Sequence, residues 1–336
     1  EVGHTLGLPH NMSASYAYDV ESYRDGAFTQ ENGIAATIMD YARYNYIAQP
    51  GDTNIRFVRQ LGPYDNYAIN YGYRYISEAQ SAEAEKETLD NWIMEKAGNP
   101  KYKFGKQSSR FDPTAQTEDI GNNSILASTY GIKNLKIVAK NLPSWTSDQT
   151  DNYDDLEELY GEMLGVWSRY IGHVVTHVGG VVEDTKNPSQ EGDVYNPVSK
   201  TYQKSAIQWL HKNAFTTPDW LIDKSILQNI NYAGYTDRIR SLQSRHLNNL
   251  LDFERIGRLI DHKAMDAANY SALDMLREVR LGLWSETKSA SNVSVFRRNL
   301  QRVYLDRMTY LMTENLDPRR SRQYFNVNQS DIRALV

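Results

Sequence analysis

Apolar positions recur at Leu156, Leu159, Tyr160, Met163, Val166, Trp167, Tyr170 and Val174, in steps of three and four residues. That spacing places them along one face of an α-helix. Acidic residues crowd the start of the segment, and Gly179-Gly180 supply a stop. The same periodicity predicts further helices over roughly 235–264, 271–286 and 294–314. In the first of these, Ile239, Leu242, Leu250, Ile256, Leu259 and Ile260 form the buried stripe. Thr217-Pro218-Asp219 sets a cap residue ahead of a proline, a favourable helix start. The stretch 181–198 holds Pro188 and Pro197 and reads as a long loop or an irregular hairpin.

The front of the chain is patterned differently. Residues 1–78 are rich in Gly, Asn and Tyr and show little long helical periodicity. A short helix is expected within 61–76, after Pro63. The charged stretch SAEAEKETLDNWIMEKAG that follows reads as an exposed helix, and Lys101–Thr117 as polar loop. Alternating strand patterns are scarce throughout. The expectation is a mainly α chain with a first domain over 1–78 and a mainly helical domain over 79–336.

Composition narrows the chemistry. Of 336 residues, 40% are hydrophobic and 24% charged, enough to bury an ordinary core. The net charge of −5 gives no basic footprint for nucleic acid, and no apolar run approaches the ~18 residues of a membrane span. With no cysteine, any metal must be held by nitrogen and oxygen. The tyrosines clustered from Tyr41 to Tyr75 suggest half-buried packing, with rings covered and hydroxyls wet.

The chain opens Glu1-Val2-Gly3-His4-Thr5-Leu6-Gly7-Leu8-Pro9-His10-Asn11. With a His directly ahead of Glu1 this would read H-E-x-x-H-x-x-G-x-x-H, the long zinc motif of the metzincins. Two His four apart on a helix can reach one ion, and the Glu beside the first faces a water on that ion. Gly7 permits the left-handed turn that ends the helix, Pro9 prevents its continuation, and His10 arrives as a further nitrogen ligand. Three protein ligands leave one position open, as a catalytic zinc requires. The first ligand is missing here, so the chain is expected to start one residue late, just after it.

Downstream, Ile38-Met39-Asp40-Tyr41 resembles the Met-turn of the metzincins, in which a Met thioether packs beneath the zinc histidines, and Met39 fits that role. In some metzincin families a Tyr two residues beyond that Met lies near the metal; Tyr41 has this spacing, and the resemblance implies a hydroxyl that could be given to a developing oxyanion.

The segments EVGHTLGLPHN and IMDYARYNYIAQPGD resemble the bacterial family called Met-zincin, and LGPYDNYAINYGY, ASTYGIKNLK and TPDWLID are also similar to it. The resemblance implies a zinc-dependent protease that hydrolyses peptide bonds of a peptide or protein substrate through a zinc-activated water. Glu1 would be general base, Tyr41 the oxyanion donor, His4 and His10 zinc ligands, and Gly7 and Met39 structural at the site. Residues 1–78 would be the lower part of a metzincin catalytic domain. Their partner would be the preceding half of that domain, including its sheet. Members are large exported proteins, which implies an extracellular or periplasmic location. With two imidazoles only, this chain is expected to hold zinc weakly or not at all and to be inactive by itself. A catalytically dead, metzincin-like binding or scaffold protein is the alternative.

His173 and His177 are also four apart, near the end of the long helix. No Glu follows His173, so packing or capping of the helix end is expected rather than a second metal site with Glu183. His211, His246 and His262 read as solvated residues on polar helix faces.

Overall fold

The computed structural model describes residues 1–106, 111–147, 152–289, 291–314 and 327–336. Its helices are α1 Val2–Thr5, α2 Gly26–Asn32, α3 Pro63–Tyr73, α4 Ala82–Met94, α5 Ser124–Trp145, α6 Asp154–Thr176, α7 Lys200–Asn213, α8 Lys224–Ile230, α9 Tyr235–Leu250, α10 Phe253–Met265, α11 Ala272–Leu283, α12 Glu286–Ser289, α13 Val295–Thr313 and α14 Val327–Leu335. Among the described residues the one sheet is a pair of short strands, β1 Val181–Glu183 and β2 Tyr195–Pro197. The chain is mainly α, as the periodicity indicates, and 181–198 is a hairpin.

Packing divides the chain into two compact units, 1–131 with 181–196, and 132–180 with 197–336. The boundary expected at residue 78 is therefore replaced by one inside α5. The reason lies in bonds that return to the front segment. Met12 N–H donates to Gly105 O at 2.8 Å and Gly121 N–H to Ser15 O at 2.9 Å. The Tyr102 ring meets Tyr67 edge-on at 5.5 Å, and Val181 N–H donates to Phe111 O at 2.8 Å. The charged composition of 81–98 marks an exposed helix and not a border. Of the polar segment Lys101–Thr117, residues 107–110 lie outside the described residues, while Asp112, Thr114 and Ala115 are buried.

In the first unit much of the chain is irregular, so buried side chains take over the backbone pairing that helices would supply. Asn45 donates to Tyr23 O at 2.7 Å and accepts from Ile47 N–H and Ala48 N–H. Tyr23 donates its hydroxyl to Ser15 O at 3.0 Å. Met12, Tyr23, Ile34, Ile47 and Ile120 fill the core beneath. The tyrosine cluster is mixed and not uniformly half-buried: Tyr46 is buried, whereas Tyr44, Tyr71, Tyr73 and Tyr75 are exposed.

The second unit packs α6 through the stripe Leu156, Tyr160, Met163, Trp167, Tyr170 and Val174. Trp167 meets Trp220 edge-on at 6.5 Å, and the Tyr160 hydroxyl donates to Leu221 O at 2.8 Å. Leu159 falls off the stripe and is 46% exposed. Gly179, at φ +61°, turns the chain after α6. The buried Arg255 and Arg258 guanidinium groups donate to the terminal carbonyls, Val175 O at 2.9 Å and Gly179 O at 2.8 Å.

Two expected helices differ. The span 235–264 is two helices, α9 and α10, because Asp252 accepts Glu254 N–H at 3.0 Å and caps a new start. Apolar spacing alone does not distinguish this break from one continuous stripe. At Thr217-Pro218-Asp219 only a 3-10 turn, Asp219–Leu221, forms; the next helix begins at Lys224, capped by Asp223.

The histidines of this unit are not solvated. His246 and His262 are buried and His211 is partly so. His246 Nε2 lies 2.7 Å from Ser168 Oγ, and His211 Nε2 donates to Glu278 O at 3.1 Å. Burial lowers the pKa of His211 and His262 and takes that of His246 down to about 4. His173 and His177 are buried too, with the His177 ring 4.6 Å from that of Tyr202, the packed arrangement expected.

Candidate metal centre

The opening motif folds as its spacing requires. Glu1 stands at the cap of α1, and the turn after α1 closes with two crossed bonds. Leu8 N–H donates to Gly3 O and Gly7 N–H to His4 O, both at 3.0 Å, with Gly7 at φ +76°. This is the Schellman pattern, which needs a residue without Cβ at the left-handed position. It returns the chain so that the His4 and His10 rings lie 4.6 Å apart, nearly perpendicular.

Each ring is oriented through the same atom. His4 Nδ1 donates to Leu8 O at 2.9 Å, and His10 Nδ1 donates to Met39 O at 3.0 Å. A carbonyl can only accept, so both neutral rings carry their proton on Nδ1 and keep the Nε2 lone pair. Anchoring one ring nitrogen on a carbonyl is how a metal-ligating His is held in its tautomer. Neither Nε2 has a hydrogen-bond partner among the described residues.

Met39 packs against the helix from the other side. A Cβ added at Gly3 would overlap the Met39 sulfur, so the thioether occupies the space a side chain would fill. Tyr41 lies beside His10, ring centroids 4.4 Å apart at an interplanar angle of 30°. Glu1, His4 and Gly7 are exposed, His10 and Tyr41 half-buried, and Gly3 and Met39 buried. The six residues singled out in the sequence thus fall in one neighbourhood around α1 and the Met39 turn.

Sequence reasoning missed what holds that turn. Asp65, at the third position of α3, accepts from Gly62 N–H at 2.8 Å, Ile38 N–H at 3.1 Å and the Thr37 hydroxyl. Thr37 Oγ1 in turn accepts from Met39 N–H at 3.0 Å. Arg59 donates to the carbonyls of Ile38 and Asp40. The Asp40 carboxylate accepts from Ser15 N–H at 2.8 Å and Ala42 N–H at 2.9 Å. Asn11, fully buried beside His10, accepts from Gly105 N–H at 2.9 Å and donates to Lys103 O at 2.9 Å. Only the G-P-x-D pattern at Gly62–Asp65 could have signalled any of this, as a helix start.

Burial pushes the Asp40 carboxyl up to about 7, against the pull of the bonds from Ser15 and Ala42 and of the Arg59 charge. Burial, with the Asp40 charge, raises the pKa of the buried Asp119 well above its ordinary value.

The donor set suits zinc. His4 and His10 present two imidazole nitrogens, each with its other nitrogen anchored. Among the described residues no group of three His, Cys, Asp or Glu side chains comes together, so the pair supplies two of the three nitrogens the motif specifies. No curated protein and no solved structure matches the chain. A family model described as Met-zincin matches residues 1–291, which takes in α1, the Met39 turn and most of the helical unit. On that match, which spans most of the sequence, the chain belongs to the Met-zincin family.

Proposed function

We propose that the protein is a zinc metallopeptidase that hydrolyses peptide bonds in peptide or protein substrates. The observation that carries this reading is the pair His4 and His10. Their rings are 4.6 Å apart, and each is fixed by an Nδ1 bond to a backbone carbonyl that leaves Nε2 to face a ligand. His4 and His10 would hold the ion. Zinc, when bound, supplies a Lewis acid that makes water nucleophilic near neutral pH and polarises a carbonyl.

The chain's own groups do the rest. Glu1, three residues from His4 at the start of α1, takes a proton from the attacking water and delivers it to the leaving amine. Tyr41, stacked beside His10, offers its hydroxyl to the oxygen that gains negative charge. Met39 fills the space beneath Gly3 and keeps α1 at its depth. Its carbonyl orients His10.

Among the described residues no helix is long and apolar enough to cross a membrane. Action outside the cytoplasm, extracellular or periplasmic, is part of the proposal and follows from the family's character.

The test is zinc content and proteolysis of the intact protein on a denatured protein substrate, with and without a chelator. Expected are one zinc per chain and cleavage that the chelator abolishes. His4→Ala and His10→Ala should lose both, and the paired change of His173 and His177 to Ala should leave zinc content unaltered. A protein that binds no zinc and cleaves nothing would instead be a binding or scaffold protein on a metzincin frame.

A further inference from the structure

We infer that Asp65 is a positioning residue of the metal centre, acting through Thr37 and Ile38 to hold the Met39 turn against Gly3 and His10. The starting observation is where its three hydrogen bonds go. Asp65 is buried. One bond, from Gly62 N–H at 2.8 Å, caps α3. The other two run to residues 27 and 28 positions earlier in the chain, Ile38 N–H at 3.1 Å and the Thr37 hydroxyl. A residue that served only to start α3 would need the first bond alone.

Thr37 makes the link directional. Its hydroxyl gives its hydrogen to Asp65, and its oxygen takes Met39 N–H at 3.0 Å. On the far side of the same residue, Met39 O receives His10 Nδ1–H at 3.0 Å and Asn11 N–H at 3.2 Å. A continuous path therefore joins a buried carboxylate to the imidazole of a metal ligand: Asp65, Thr37, the Met39 peptide groups, His10. Each member is a buried or half-buried group with a defined partner, the condition under which polar relays are rigid.

The helix carrying Asp65 is itself fixed close to the turn. Tyr64 N–H donates to Ala36 O at 3.0 Å, and a Cβ at Gly62 would overlap the Ala36 carbonyl. The start of α3 therefore sits against the backbone entering the turn, with no room for a looser approach. Anchors one step behind the ligands set metal affinity, and their loss typically costs ~10–100-fold. Asp65 and Thr37 stand one step further back, where they fix the carbonyl that fixes His10.

The inference rests on the zinc reading for its affinity measurement alone; the clamp has a readout of its own. Three variants separate the roles. Thr37→Val keeps the shape of a fully buried side chain and deletes the hydroxyl. Asp65→Asn leaves one acceptor oxygen where two are used. Thr37→Ser keeps the hydroxyl and loses a methyl. Nitrogen-15 NMR of the His10 ring reports the Nδ1–H tautomer, and zinc competition titration of the intact protein reports affinity.

Thr37→Val and Asp65→Asn should mix the His10 tautomers and weaken zinc binding ~10–100-fold. Thr37→Ser should keep the wild-type His10 signals and affinity while melting lower. If Thr37→Val leaves the His10 signals unchanged, the clamp is wrong and Asp65 is a helix cap. If the unaltered protein binds no zinc while the His10 signals respond to Thr37→Val, the clamp stands and the zinc reading falls.

Discussion

Replacing His246 by Gln should remove an acid-labile element from the helical unit. His246 lies on α9, 5% exposed, with Nε2 2.7 Å from Ser168 Oγ and Nδ1 without a partner among the described residues. Burial, helped by the Arg245 charge, takes its pKa from 6.5 down to about 4. A tenfold change in proton affinity is ~1.4 kcal/mol, so the displacement corresponds to ~3 kcal/mol. The unfolded chain binds the proton near 6.5 and the folded chain only near 4. Between those values the unfolded state holds more protons, and stability rises with pH. The contribution is complete above 6.5 and is lost as pH falls towards 4. Denaturant unfolding of the wild type and His246→Gln should therefore show a stability gap that moves by ~3 kcal/mol in favour of the variant between pH ~7 and pH ~4. NMR titration of the ring should place its midpoint far below 6.5. A gap that does not change with pH, together with a midpoint near 6.5, would refute the burial argument.

Two further outcomes are expected in the first unit. Gly3→Ala would drive a Cβ into the Met39 sulfur; overpacking of ~1–3 kcal/mol outweighs the ~1 kcal/mol that Ala gains over Gly in a helix. Zinc affinity should fall, with part of the loss restored when Met39→Ala is added. Strict additivity of the two changes in a double-mutant cycle would contradict the contact. Asp40 should give the opposite pH dependence to His246, since its pKa is raised from 3.8 to about 7. Its contribution is fully present below 3.8 and is lost as pH rises through about 7, a change of ~4 kcal/mol. The Asp40 carboxyl carbon should titrate near 7 by NMR, and a midpoint near the ordinary carboxylate value would rule this out.

The sequence by itself determined whatever depends on neighbours along the chain. The three- and four-residue spacing gave α6, α11 and α13 close to their observed limits, because a helix forms between residues four apart and its apolar face is written in that interval. His4, Gly7 and His10 were legible for the same reason: eleven consecutive residues contain the helix, its left-handed stop and the returning histidine. Met39 was readable only from the companion motif at His4–His10, and Tyr41 from its spacing to Met39. Where local signals conflicted or were balanced, the reading erred. The α9–α10 stripe hid the cap at Asp252, and Pro218 promised a helix where one 3-10 turn forms.

Tertiary structure decided everything set by residues distant in sequence. Nothing local to Asp65 tells that it reaches Thr37 and Ile38, since the same residue would cap α3 with no turn beside it. Nothing around His211, His246 or His262 shows that packing buries them, because each has a charged neighbour in sequence, Lys212, Arg245 and Asp261, that suits a solvated face equally well. The extent of the first unit was likewise unreadable at 78, for the hydrogen bonds that extend it join Met12 to Gly105 and Ser15 to Gly121. A one-dimensional pattern records which groups need partners. Which partner each receives depends on chain segments brought together only when the core forms, where an unpaired buried polar group is costly enough to select one arrangement.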